Sequence, residues 1–239
     1  MKPYQKAAYE YQTEVSDNKD QLLASQPRRQ SIYASRLRKF LPKDNGATLL
    51  DCACGNGTLS LALNHLGYKN VDSIDMDPCQ VALAQSIGVG AVQADALAWL
   101  ADREDRYQGI FALDFLEHLD KDRALTFLTL AYAALRPSGS LILRTPCAEA
   151  PFFGVAAFND LTHEWVATSG VLRNMLRMTG FDTVIVLDDG PAPYGLKNIL
   201  RLAALRLTCG IVGYWSTLIG IGRPAIWTPN MWAVAVRCA

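Results

Sequence analysis

His163 stands in a dense polar and aromatic run, Phe158-Asn159-Asp160-Leu161-Thr162-His163-Glu164-Trp165. A histidine between carboxylates suits general-base work. Imidazole titrates near neutrality, and Asp160 or Glu164 is placed to hold its tautomer. The same ring also fits a local role, pinning its loop by a hydrogen bond. A second candidate, His118, closes the run Asp114-Phe115-Leu116-Glu117-His118; it reads first as a structural residue and second as a catalytic one. His65, near the end of a helical pattern, reads as surface.

A different chemistry is written into Leu49-Leu50-Asp51-Cys52-Ala53-Cys54-Gly55-Asn56-Gly57-Thr58, a strand, a glycine turn and a helix start. Gly55 and Gly57 let the backbone bend tightly and approach a ligand, and Thr58 opens a helix whose free N–H groups face it. Two glycines at such a turn also serve packing alone, so the acids that follow carry the reading. Asp75, after Val71-Asp72-Ser73-Ile74, is placed to accept from a ribose diol. Asp95, after Ala91-Val92-Gln93-Ala94, is suited to accept from an adenine amino group. Ile110-Phe111-Ala112-Leu113 is a fourth strand, ending at Asp114.

The elements that position these residues alternate. Strands over 47–54, 71–75, 91–95, 107–115 and 141–144 are interleaved with helices over 58–66, 78–86, 96–101 and 122–135, which implies a parallel sheet in one α/β core. Pro137 and Gly139 end the fourth of these helices, and Thr168 or Ser169 caps another that stops at Gly180. Phe181 to Leu187 and Met231 to Arg237 supply two more strands, the last with the continuous apolar character of a central one.

In order, these motifs resemble the class I S-adenosylmethionine-dependent methyltransferases: an acid followed by alternating glycines, an acid ending the second strand, a Leu116-Glu117-His118 tripeptide after the fourth, and Arg136-Pro137-Ser138-Gly139 turning into the fifth. The resemblance spans residues 47–181. It implies a Rossmann-like seven-stranded mixed sheet of order 3-2-1-4-5-7-6 with the seventh strand antiparallel. It also implies S-adenosylmethionine as cofactor and S-adenosylhomocysteine as product. The implied cofactor contacts are Asp51, Ala53, Gly55, Gly57, Asp75, Met76, Asp95, Ala96, Asp114 and Phe115, and the catalytic candidates are His163, Asp160 and His118. Ala53 departs from the family, which has glycine there; a negative φ would let alanine keep the turn and the cofactor. The run Asn159 to Glu164 resembles methyltransferases of bacterial surface-polysaccharide synthesis. That implies O-methylation of a sugar hydroxyl, free, nucleotide-linked or lipid-linked.

Bulk properties narrow the field. The chain has 239 residues, half of them hydrophobic, and no net formal charge, which permits one sizeable core and gives no electrostatic case for a nucleic-acid partner. The six cysteines form no C-x-x-C pair, so no metal is expected. A polar amino terminus without an apolar core leads to a cytoplasmic expectation. Residues 1–46 read as a helical cap over the cofactor pocket, with Tyr4, Ala8, Tyr11 and Val15 on one face and a second amphipathic run from Ser31 to Leu41. The domain proper is 47–239, with an insertion at 190–230. There, Leu196 to Arg206 is amphipathic with Lys197, Arg201 and Arg206, and Leu207 to Gly222 is apolar but shorter than the roughly 20 residues of a membrane span. Two readings stand: a helical hairpin packed on the domain or on a second subunit of a homodimer, or a peripheral membrane patch over Leu196 to Gly222. Competing functions are methylation of a lipophilic acceptor such as a quinone precursor, a nicotinamide-dependent oxidoreductase, and a non-catalytic membrane adaptor.

Overall fold

The computed structural model describes residues 3–5, 7–8, 11, 19–151, 153–190, 196–220 and 222–238. Val15, the side chain of Lys197 and the loop 191–195 lie outside them. The strands are β1 (Thr48–Cys52), β2 (Asn70–Asp75), β3 (Ala91–Gln93), β4 (Tyr107–Leu113), β5 (Leu135–Pro146), β6 (Thr183–Asp188) and β7 (Asn230–Val236). They form one sheet in the order β3-β2-β1-β4-β5-β7-β6. β1 to β5 run parallel, and β7 enters antiparallel between β5 and β6.

Period-two alternation decides which helices cover which face. Leu50, Ile110, Ala112, Leu141 and Leu143 point one way and pack with Leu100, Phe127, Leu128, Leu172 and Leu176. These last belong to α4 (Ala96–Ala101), α5 (Lys121–Ala134) and α7 (Ser169–Met178). Leu49, Phe111 and Ile142 point the other way, against Leu37, Leu59 and Leu63 of α1 (Lys19–Leu37) and α2 (Thr58–His65). Because both faces are covered, the middles of the central strands are apolar on both sides, as in Leu49-Leu50, Ile110-Phe111-Ala112 and Leu141-Ile142-Leu143.

Several boundaries differ from those read in the sequence. Helix α5 ends at Ala134 rather than Leu135, and β5 starts at once, well before Leu141. Pro137 keeps the residue before it out of helical backbone; Leu135 is already extended, and Ser138 then takes a left-handed φ of 64° while its N–H donates to the Arg237 carbonyl at 3.0 Å. Helix α1 spans Lys19–Leu37 rather than Ser31 to Leu41. Beyond Leu37 the chain closes in a tight turn, with Phe40 and Leu41 both donating to the Leu37 carbonyl.

The insertion is one continuous helix, α8 (Leu196–Leu218), not a hairpin. No proline lies between Leu196 and Arg223, so Gly210 and Gly213 alone cannot end it; Gly220, at φ 83°, does. α3 (Pro78–Ser86) and the short α6 (Gly154–Phe158) complete the helices used below.

Candidate active site

The carboxyl ends of β1, β2 and β4 open into a cleft of about 350 Å³. Asp51, Asp75, Asp77, Asp95 and Asp114 line it, against Arg29 and Arg123. That balance suits a cationic cofactor better than a pyrophosphate, which counts against the nicotinamide alternative. From the cap, Gln5, Arg29 and Tyr33 close one side.

Each acid is locally tied. Both Asp75 oxygens accept backbone donors, Gly55 N–H at 2.8 Å and Asp77 N–H at 2.9 Å, so this carboxylate also shapes the glycine turn. A carboxylate oxygen has a second lone pair, which leaves room for ribose hydroxyls. Asp95 caps α4 through one oxygen and takes the Arg123 guanidinium at 3.0 Å through the other. Asp51 accepts from the Ser60 hydroxyl at 2.5 Å, and burial pushes its carboxyl up to about 7 against that hydrogen bond. Asp114, at φ 53°, is held by Arg144, whose Nε also reaches Asp189 at 3.1 Å. Gly55 has open space where a Cβ would stand. Met76, Ala96 and Phe115 line the same cleft, so the residues expected from sequence to meet the cofactor converge here, apart from Gly57, which is not among its lining residues. A Cβ on Gly57 would meet Ala84 at 2.9 Å.

Ala53 overturns its expectation: its φ is +58°, not negative. The turn keeps the left-handed geometry that glycine would fill and alanine bears the strain. Ala53→Gly therefore stabilises the fold by roughly 1 kcal/mol, the left-handed penalty less the entropy glycine adds to the unfolded chain. Urea denaturation reads it, and an unchanged or lowered midpoint would refute the strain.

His118 and His163 meet edge to face with ring centroids 4.8 Å apart. His118 belongs to the cofactor cleft, whereas His163 lines a neighbouring pocket of about 270 Å³ with Phe153, Phe158, Trp165 and Val166. The histidine pair is thus the partition between the two cavities. The His163 Nδ1 lies 2.9 Å from the Ala157 carbonyl, which can only accept, so Nδ1 carries the proton and Nε2 the lone pair. Asp160 does not hold His163, contrary to the sequence reading. Its Oδ1 accepts from the N–H of Thr162 at 2.8 Å and from the Thr162 hydroxyl at 2.6 Å, because two residues is the natural reach of an aspartate turn. With that proton committed, Thr162 Oγ1 accepts from His118 Nδ1 at 2.7 Å. Glu164 is also turned away, toward Tyr4 and Gln5 of the cap.

Beneath the pair lies Glu117, 1% exposed, its two oxygens without a hydrogen-bond partner among the described residues. Burial, aided by the Asp114 charge, raises its carboxyl to about 8. Burial and the nearby His163 bring His118 down to about 4. One ligand atom each from Glu117, His118 and His163 fall within 4.8 Å of one another, a spacing at which they can hold a divalent cation. The expectation of no metal rests on cysteine spacing and on the chain's having only three histidines; two of those three meet here beside Glu117. Two hydrogen bonds stitch the tripeptide turn to the histidine loop: the Glu164 backbone N–H donates to the Glu117 carbonyl at 2.8 Å, and the Trp165 indole N–H to the Leu119 carbonyl at 2.7 Å.

A family profile described as a methyltransferase domain matches residues 25–186. The chain belongs to this family and has the class I S-adenosylmethionine-dependent methyltransferase fold, with S-adenosylmethionine as the cofactor its cleft fits. An S-adenosylmethionine-dependent methyltransferase of Archaeoglobus fulgidus superposes with a TM-score of 0.64 at 18% identity, over 90% of this chain and 99% of that one. Among curated relatives, the O-methyltransferase resE of Aspergillus sclerotiorum is 27% identical over 59% of this chain and 57% of its own length. A ubiquinone biosynthesis O-methyltransferase of Xanthomonas oryzae is 31% identical over 43% of this chain and 46% of its own. The chain thus spans about half the length of these relatives.

Proposed function

We propose that this protein is an S-adenosylmethionine-dependent O-methyltransferase whose acceptor sits in the aromatic pocket beside His163. One observation carries the reading: the histidine pair divides an acidic cofactor cleft from an apolar pocket, so a base stands where the two reactants would meet. When bound, the cofactor supplies a methyl group on a sulfonium. His163 would take the acceptor hydroxyl proton at Nε2 as that methyl group is delivered, and the cofactor would leave as a neutral thioether. Asp160 and Thr162 act at one remove, by fixing His118.

The pocket wall favours a lipophilic acceptor, such as a phenolic quinone precursor, over a sugar. Phe153, Phe158, Trp165 and Val166 offer apolar surface, and the carboxylate that lines the pocket, Glu164, is engaged by Tyr4 and Gln5 of the cap. The O-methyltransferase names among the relatives agree with this choice. The sugar reading keeps one support, the resemblance of the Asn159 to Glu164 run. Product analysis with an alkyl-substituted catechol and a panel of nucleotide sugars separates the two; methylation of a sugar alone would reverse the preference.

On the cofactor side, Asp75→Ala weakens binding of S-adenosylhomocysteine roughly ten- to a hundredfold, the loss of charge-assisted bonds of about 1.5–3 kcal/mol. Calorimetry measures it. Unchanged affinity in a folded variant would give the ribose to another acid.

A further inference from the structure

Helix α8 presents Leu200, Leu207, Ile211, Tyr214 and Leu218 on one line, each between 61% and 69% accessible. Their intervals of three, four or seven residues keep them on a single face of the helix. The opposite face does the structural work: Gly213 and Ser216 are buried, and Leu202, Leu205, Cys209 and Val212 half-buried. Gly213 is pressed so closely that an added Cβ would sit 3.3 Å from the Trp227 ring and from the Arg223 stem. The outer stripe is therefore not needed to hold the helix on the domain.

Charge selects what covers that stripe. From Leu196 to Leu218 there is no Asp or Glu, while exposed Arg201 and Arg206 flank the stripe on either side. Two copies placed face to face would bring like charges together, whereas an anionic surface complements them. The helix is also prepared for a low dielectric. Thr208, Ser216 and Thr217 return their hydroxyl protons to the carbonyls of Ala204, Val212 and Gly213, at 3.0, 2.8 and 2.9 Å. Trp215 adds an amphipathic indole of the kind that settles at headgroup level. No helix among the described residues is long and apolar enough to cross a membrane.

We propose that α8 is an interfacial helix that docks the protein on an anionic lipid bilayer, its apolar stripe among the acyl chains and its arginines against the phosphates. The proposal rests on this surface alone and not on the methyl-transfer reading. Its consequence is that acceptors dissolved in or linked to the bilayer are met at the membrane surface.

Co-sedimentation with phosphatidylcholine vesicles, with and without phosphatidylglycerol, tests it. The protein is expected to pellet with the anionic vesicles at low salt, to leave them as salt rises, and to ignore pure phosphatidylcholine. Arg201→Glu with Arg206→Glu lowers the partition coefficient at least about tenfold. Trp215→Glu with Leu218→Glu abolishes binding while affinity for S-adenosylhomocysteine is kept, which shows that the fold survives; serine at the same positions serves if glutamate unfolds the chain. Failure of the parent to bind anionic vesicles, or binding equal to the parent's in both pairs of variants, overturns the proposal. A parent that ignores vesicles but is a dimer, made monomeric by the Trp215 and Leu218 changes, would make the stripe a subunit interface instead. Turnover enters none of these readouts, so they stand or fall apart from the proposed reaction.

Discussion

Alanine at His163 lowers turnover roughly 10²- to 10⁴-fold while S-adenosylhomocysteine binds with nearly unchanged affinity, because the lost group serves the acceptor and not the cofactor. The geometry fixes which atom matters. Nδ1 is spent on the Ala157 carbonyl at 2.9 Å, so the acceptor's proton must go to Nε2. This separates the base from a residue that only pins its loop. Asparagine can reproduce the Nδ1 donor to Ala157 but offers no base at the Nε2 position. If His163 is the base, His163→Asn is as impaired as His163→Ala, and the acid limb of the pH–rate profile disappears in both. Near-normal turnover for the asparagine variant, with alanine alone defective, would assign His163 to holding the loop.

What could be read beforehand divides along a physical line. Hydrophobic period and strand-end acids are properties of side chains in sequence order. They placed β1 to β4 and gathered Asp51, Asp75, Asp95 and Asp114 around one cleft. The antiparallel seventh strand came from family resemblance, since Met231 to Val236 is equally apolar in either direction. His163 was visible as a candidate, but its true partner was not. The Ala157 acceptor is a backbone carbonyl, and every residue carries one. Asp160, three residues from His163, looked like a partner. It instead found the backbone two residues on, which a turn always brings nearer. The left-handed φ of Ala53 was hidden for a related reason: a strand-to-helix turn dictates it, whatever residue stands there. In the insertion the difficulty was punctuation. No proline interrupts its helix, and the glycines inside it do not stop it: a glycine inside a helix costs only about 1 kcal/mol, and at Gly213 close packing against Trp227 exploits the missing side chain.

Glu117 leads to the other large effect, on stability. Its carboxyl is buried without a hydrogen-bond partner among the described residues and titrates near 8, against 4.5 for an ordinary glutamate. Between those values the folded chain keeps a proton that the unfolded chain has already lost. Raising the pH through this window therefore favours unfolding, by about 1.4 kcal/mol for each pH unit, and the effect levels off above pH 8. Asp51, raised from 3.8 to about 7, adds a slope of the same sign over a lower window. Glu117→Gln keeps the shape of the side chain and removes only the titration. Urea unfolding of parent and variant from pH 5 to pH 8 is thus expected to give two lines that diverge by about 1.4 kcal/mol per unit, the variant gaining relative stability as pH rises. The Asp51 contribution remains in both lines and cancels in the difference. Parallel lines would mean that Glu117 is ionised in the fold at neutral pH, with a counter-charge to hold it. The three-residue cluster with His118 and His163 would then be a site that binds a cation rather than one built around a neutral carboxyl.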